Sequence, residues 1–412
     1  MLSKPLLLLK RLTRRLGVRV LLMSLLALVA AFLARTIDPL IPDELKDRFD
    51  RDAVLPILNI LASSMLAATT FSLGVMVQAF QAASGQATPR AYRILMQDGT
   101  TQTVLATFVS TFLFSLTSIV MFRAEYYTNA AAVVIFGLTV LSIVLIIIAI
   151  LRWIDHLSQL GSMDHTLRMV EVGARNCLKS AAEAPCLGAQ ELDPDAEIPT
   201  DGIPVRARNS GYVQFVNLPE MHEEIEEAGA EIWVTAPPGR FVLRDAPLGY
   251  LIGGSEELAE KASANFTLGR ERTLEQDARF GLIMMAEIAA RALSPGVNDP
   301  GTAIDVIQRL KRLLWEHGND TSDTPDVKYR CAHVPRIGAD DLVDDSFDVI
   351  IRDGAGRPEV IGQVLHALGD LENSDWEALV RAAQAKQDYA AEHAEAALSV
   401  QSDRDAIASL RD

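Results

Sequence analysis

Apolar residues run in long unbroken stretches through the first 150 positions and recur at intervals after that. Four stretches match the roughly 20 helical residues that a hydrocarbon core requires. They extend from about Val18 to Ala34, Val54 to Phe80, Thr101 to Phe122 and Ala130 to Leu151, and the last three contain no charged residue. From Arg152 to Ala184 the apolar positions Ile154, Leu157, Leu160, Leu167 and Val170 predict that the last span continues as an amphipathic helix. A polar, Pro-containing linker follows.

Between Ile203 and Gly254 the period shortens to that of β-strands, punctuated by Gly211, Pro237-Pro238-Gly239 and Gly249, with a helix at Pro219 to Ala228. This succession looks like a small barrel-sandwich module of the lipoyl-like kind, without the modifiable Lys of a carrier. Asp245 falls at a turn. Two helices, about Leu274 to Leu293 and Gly301 to Trp315, are separated by Ser294-Pro295-Gly296 and Asp299-Pro300. Asp299 suits the cap and Pro300 the first helical position. VKYRCAHV reads as one more strand, and the Ala- and charge-rich end as an exposed terminal helix or a subunit contact. The fold class expected is an α-helical membrane domain of four transmembrane helices (1–151), a helical extension and linker (152–200), a small β-rich barrel-like module (201–258) and a mainly helical domain (259–412). The last three make up an α+β cytoplasmic part.

Charge sets the direction of the spans. Lys4, Lys10, Arg11, Arg14, Arg15 and Arg19 precede the first, placing the N-terminus in the cytoplasm. The next loop has no basic surplus, Arg90 and Arg93 mark the second loop as inside, and Arg152 keeps the tail inside. A cleaved signal peptide is the competing reading of the start, and it would leave three spans with the tail still inside. The chain beyond Leu151 carries about 25 basic and 46 acidic residues. That excess disfavours nucleic acid or an anionic bilayer surface as a partner of the tail and fits a cation, a basic protein or simple solvation. Cys177, Cys186 and Cys331 form no disulfide framework, and the Cys331-x-His333 pair lacks the ligand count of a zinc site.

Within the spans the candidate chemistry is hydroxyl and small. Ser64, Ala68, Ser72 and Gly74 predict close helix packing and an inner position for the second span. Thr103, Thr107, Thr111, Ser115 and Ser118 share one face of the third. They either line a wet pathway or bond their own backbone and pack against a neighbour. The second, third and fourth spans contain no Asp, Glu, His, Lys or Arg, which disfavours a coupled transporter against an oligomeric passive pore or an anchor. Pro89, with Thr88 as cap, starts a short helix carrying Arg90 that either anchors at headgroups or couples membrane to tail. Asp155-His156 and Asp164-His165 suggest metal ligands, yet adjacent helical residues diverge, so a solvated face is expected.

The densest polar cluster is RERTLEQDARFG with IAARALSPGVNDPGTA. Arg272, Glu275, Asp277, Arg291, Asn298 and Asp299 supply acids and bases for a gating or interaction motif. No Ser-His-Asp set, phosphate loop or HExxH helix accompanies them, so no catalytic, cofactor or metal residue is assigned. Glu275 with Arg279 and Glu287 with Arg291 are spaced for intrahelical pairs. These segments, with FSLGVMVQAFQAASGQATPRAYRILMQD, resemble the bacterial predicted-membrane-protein family catalogued as domain of unknown function 2254. The resemblance covers most of the chain, from the first span to about Leu371, and implies location and fold more than activity. The reading that follows is a homo-oligomeric inner-membrane protein, not an enzyme, whose spans form a pore gated by the tail. The alternative is a membrane-anchored scaffold or sensor whose tail binds a partner.

Overall fold

A computed structural model describes residues 16–33, 51–86, 88–95, 98–159, 162–193, 196–197, 199–320 and 326–410. The basic N-terminal run through Arg15 and the acidic loop after the first span lie outside the described residues. The chain divides into two compact units, one reaching Thr166 and the other beginning at Leu167.

The first unit contains α1 (Leu16–Leu33), α2 (Arg51–Gln86), α3 (Pro89–Leu95), α4 (Gly99–Arg123) and α5 (Asn129–Gln159). α2, α4 and α5 are long and apolar enough to cross a membrane. α1 is a shorter apolar helix, and its 18 residues reach only about 27 Å at 1.5 Å per residue. Among the described residues the expected four spans therefore stand at three plus one shorter apolar helix. α4 packs against α1, α2 and α5, so 61% of its span is buried, against 28% of α2 and 22% of α5. Leu26, Ile60, Phe71 and Leu151 point outward, as lipid requires. The second span was expected inside, but α4 holds the centre. Its Phe108 and Phe114 give it bulk to fill the bundle where α2 offers small residues.

The extension after the last span is two helices, not one: α5 ends at Gln159 and α6 runs Met163–Glu183. Ser162 causes the restart, its Oγ accepting from His165 N at 3.1 Å as an N-cap does.

The second unit has two sheets. β1 (Ala189–Glu191), β2 (Ile203–Arg206), β4 (Glu231–Val234), β6 (Pro247–Ile252) and β8 (Tyr329–Val334) lie in the order β1-β8-β4-β6-β2. β5 (Phe241–Val242), β3 (Gly211–Val216) and β7 (Phe266–Gly269) form the other, β5-β3-β7. Neither closes, so the expected barrel is corrected to two open sheets. The reason is non-local: β4 takes β8, from far along the chain, as a parallel partner at Ile232↔Ala332, which alternation within 201–258 cannot reveal. Val205, Val213, Ile232, Val234, Leu248 and Leu251 fill their core, with Met221 and Ile225 from α7 (Leu218–Glu227). α8 (Glu256–Ala264) connects β6 to β7.

The helical half packs α9 (Ala278–Leu293) against α10 (Pro300–Asp320) and α11 (Ala339–Gly354). α12 (Pro358–Leu371), α13 (Glu377–Ala397) and α14 (Gln401–Ala408) complete it. The Ala-rich end is not an exposed helix: α13 packs on α11 and α12, with Leu379, Ala383 and Ala390 buried. Lys386 anchors it between Asp344 and Asp348.

Candidate functional site

The mouth of the membrane bundle is built on Asp98-Gly99-Thr100-Thr101. Asp98 accepts from Thr100 N at 3.3 Å and Thr101 N at 2.8 Å, capping α4. Its Oδ2 also lies 2.8 Å from His156 Nε2, near the end of α5, and Thr101 Oγ1 lies 3.1 Å from the same nitrogen. Burial pushes the Asp98 carboxyl up, but hydrogen bonds from His156 and Thr101 more than reverse this and hold it well below the usual carboxylate range. Arg19 on α1 donates to Gly99 O at 2.8 Å and to Thr103 Oγ1 at 2.9 Å. His156 packs against Trp153 on its own helix and edge-on against His165 at the start of α6, with ring centroids 6.0 and 5.6 Å away. The solvated face expected for Asp155-His156 is thus corrected: His156 is 9% exposed, because the packing of α4 on α5 delivers a carboxylate to it. The sequence signal was available in part, since Asp98-Gly99-Thr-Thr has the form of a helix cap.

The hydroxyl stripe of α4 turns mostly inward. Thr107, Thr111, Ser115 and Ser118 are buried and Thr103 is exposed. Thr103 donates to Gly99 O and Thr107 to Thr103 O, at 2.7 and 2.9 Å, which is bonding to the preceding turn. Ser115 Oγ is buried with no hydrogen-bond partner among the described residues. Of the small residues on α2, Ser72 is buried, Ala68 half-buried, and Ser64 and Gly74 exposed. Ser64 donates to Ile60 O, and nothing stands within 4 Å of where a Gly74 Cβ would be. Pro89 begins α3, Thr88 Oγ1 accepts from Ala91 N at 3.3 Å, and Pro89 and Arg90 are exposed.

In the second unit the polar cluster does not stay together. Arg272 grips Asp277 with two bonds, Nε to Oδ2 at 2.6 Å and Nη2 to Oδ1 at 2.9 Å. Asp277 is 2% exposed and caps α9, accepting from Phe280 N at 3.1 Å. Burial pushes its carboxyl up in spite of Arg272. The Pro237-Pro238-Gly239 turn closes over this pair: a Cβ at Gly239 would stand 2.5 Å from Asp277 Oδ2, and its φ of +93° suits glycine. Gln276 binds both backbone groups of Val216, taking its N–H at 2.7 Å and donating to its O at 3.1 Å. Arg291, Asn298 and Asp299 lie at the other end of α9, about 24 Å away along a 16-residue helix. There Arg291 is half-buried, Asn298 adopts φ +53° in an exposed turn, and Asp299 accepts from Thr302 N at 3.1 Å.

Glu275 precedes α9, so it lies outside the helix in which its pairing with Arg279 was expected. Arg279 meets Asp341 at 2.9 Å and Asp345 on α11, because α9 and α11 pack face to face. A group missed in the sequence is Glu171, 5% exposed on α6, which binds Arg309 at 2.8 Å, Arg175 at 3.0 Å and Arg312. Cys331 meets His222 Nδ1 at 2.6 Å, while His333 lies 3.4 Å from Glu231, so alternate β8 residues serve different neighbours.

Residues 13–370 match the model of the family described as "Predicted membrane protein (DUF2254)". The chain belongs to that family. Uncharacterized proteins of Mycobacterium bovis (strain ATCC BAA-935 / AF2122/97) and Mycobacterium tuberculosis (strain ATCC 25618 / H37Rv) are each 29% identical over 273 residues, 62% of this chain and 51% of theirs. The chain thus spans about half the length of the curated relatives it matches. No solved structure matches it. Membership in this family agrees with the three apolar helices in making it a membrane protein.

Proposed function

We propose that this DUF2254 protein is a homo-oligomeric inner-membrane sensor or scaffold, with its N-terminus and acidic soluble unit in the cytoplasm, that receives a protein partner on that unit. The observation that carries this reading is the burial of α4: the helix with the hydroxyl stripe is the packed centre of the bundle, and Thr107 bonds its own backbone. Thr107, Thr111, Ser115 and Ser118 of the stripe are buried within the bundle of one chain. The exposed Arg90 and Arg93 on α3 support a cytoplasmic second loop.

The partner's place is a cleft of about 360 Å3 at β5, on the edge of its sheet, lined by Phe241, Leu243, Tyr250 and Arg240. Phe241 and Leu243 are 52% and 65% exposed, large apolar side chains left in water next to a guanidinium. An extended segment with apolar and acidic side chains fits such an edge. Photo-crosslinking from position 241 or 243 of the full chain in membranes should give one discrete adduct that position 172, also exposed, does not give. Equal, diffuse labelling from all three positions would remove the reading. No reaction is assigned, because Arg272 and Asp277 are occupied with each other.

A pore between chains is the second reading. Thr103 favours it, being the hydroxyl of the stripe that is exposed on the outside of the bundle, where a second chain would meet it. Ion flux from reconstituted protein, reduced by Thr107→Leu or Thr111→Leu, would put this reading first.

A further inference from the structure

Two imidazoles and a carboxylate meet at the mouth of the membrane bundle, each from a different element. Asp98 comes from the cap of α4, His156 from the end of α5 and His165 from the first turn of α6. Asp98 Oδ2 is 2.8 Å from His156 Nε2, and the ring of His165 stands edge-on to that of His156, centroids 5.6 Å apart at 79°. The other groups nearby are Thr101 and Trp153 in contact, Arg152 and Asp155 beside His156 in the chain, and Asp164 beside His165. Arg19 on α1 binds the adjoining turn of α4, and α3 carries exposed Arg90 and Arg93.

Imidazole changes charge between about pH 5 and 8, a carboxylate at this distance favours the charged form, and a neighbouring imidazolium disfavours it. Groups so close titrate as a set, in steps that belong to the set. The first proton balances Asp98 and tightens the tie between α4 and α5. The second puts like charges on either side of the contact between α5 and α6.

We propose that Asp98, His156 and His165 form a proton-responsive clasp: a proton on His156 ties the mouth of α4 to α5 beneath the first turn of α6, and a second proton, on His165, releases that turn. The clasp deepens the sensor reading and rests on it, naming cytoplasmic acidification as a stimulus. Its test does not involve the Phe241 cleft, so either idea can fail alone.

Trp153 reports the first event, since an imidazolium 6.0 Å away quenches indole emission. In full-length protein in lipid nanodiscs, with Trp233, Trp315 and Trp376 replaced by Phe, emission should fall in a step between pH 8 and 5 that His156→Gln abolishes. Asp98→Asn should move the step, since Asp98 Oδ2 lies 2.8 Å from His156 Nε2. Release is read from spin labels at positions 100 and 163, in a background with Cys177, Cys186 and Cys331 changed to Ser. Their separation should grow on acidification in the parent and stay fixed in His165→Gln. The absence of a step, a midpoint unmoved by Asp98→Asn, or a separation constant from pH 8 to 5 would each overturn the clasp. His165 is half exposed, so its variant keeps the test decisive even if Asp98→Asn does not fold.

Discussion

Asp98 and Asp277 do the same job in the two units of this molecule, and their carboxyls are driven in opposite directions. Each caps a helix and pairs with a basic side chain. Asp98 keeps some contact with solvent and takes donors from His156, Thr101 and the backbone, which together outweigh burial. Asp277 is closed in by the Gly239 turn, and burial outweighs Arg272 and the Phe280 N–H. A carboxylate's state in this protein is thus decided by how completely the fold closes over it and how many donors reach it, not by having a partner. The half-open site is the one able to respond to its surroundings; the closed one is a fastening.

The comparison breaks most visibly at the closed end. Arg272→Ala leaves a buried carboxylate without its cation, and should cost about 3–5 kcal/mol in denaturant unfolding of the detergent-solubilised chain. Gly239→Ala drives a methyl into Asp277 Oδ2 at a backbone angle that suits glycine, and should cost about 2–3 kcal/mol by the same measurement. At the half-open end, Asp98→Asn removes a charged cap and weakens the hold on His156. About 1–3 kcal/mol should be lost at neutral pH.

The pH dependence sharpens the contrast. Asp98 is depressed in the fold, so its contribution is present above the unfolded value, about 3.9, and lost as pH falls below it. Asp277 is raised, so the folded state holds its proton more tightly, and its effect on stability declines as pH climbs from about 3.9 through the raised value. Melting curves from pH 4 to 7 should therefore lose a downward slope in Asp277→Asn and keep it in Asp98→Asn. The smallest effect belongs to Ser64→Ala, below about 0.5 kcal/mol, because that hydroxyl is exposed and bonds its own helix.

Much of the architecture is legible without coordinates. Uncharged runs of 20 and more residues have no stable place but lipid or a deep core, and Thr88 and Asp299 announce helix starts by local chemistry. The hydroxyl stripe of α4 is a matter of helical period, and its residues do share a face. Less legible was the position of α4, because a span's apolarity is the same whether lipid or protein surrounds it. The tail cluster misled for another reason. Arg272 and Asp299 are close in the chain, yet a straight helix holds the groups around them about 24 Å apart.

The sequence by itself determined where most helices and strands can exist, which of them are apolar enough for lipid, and some of the residues that cap them, since these follow from period, length and bonds within a few residues. Only the tertiary structure decided that β8 completes the sheet of β4, that Glu171 gathers three arginines, and that His156 closes on a carboxylate 58 positions earlier. Those pairings join groups whose chain separation carries no local signal, and they exist because packing first brings the helices and strands together and burial then requires each polar group to find a partner.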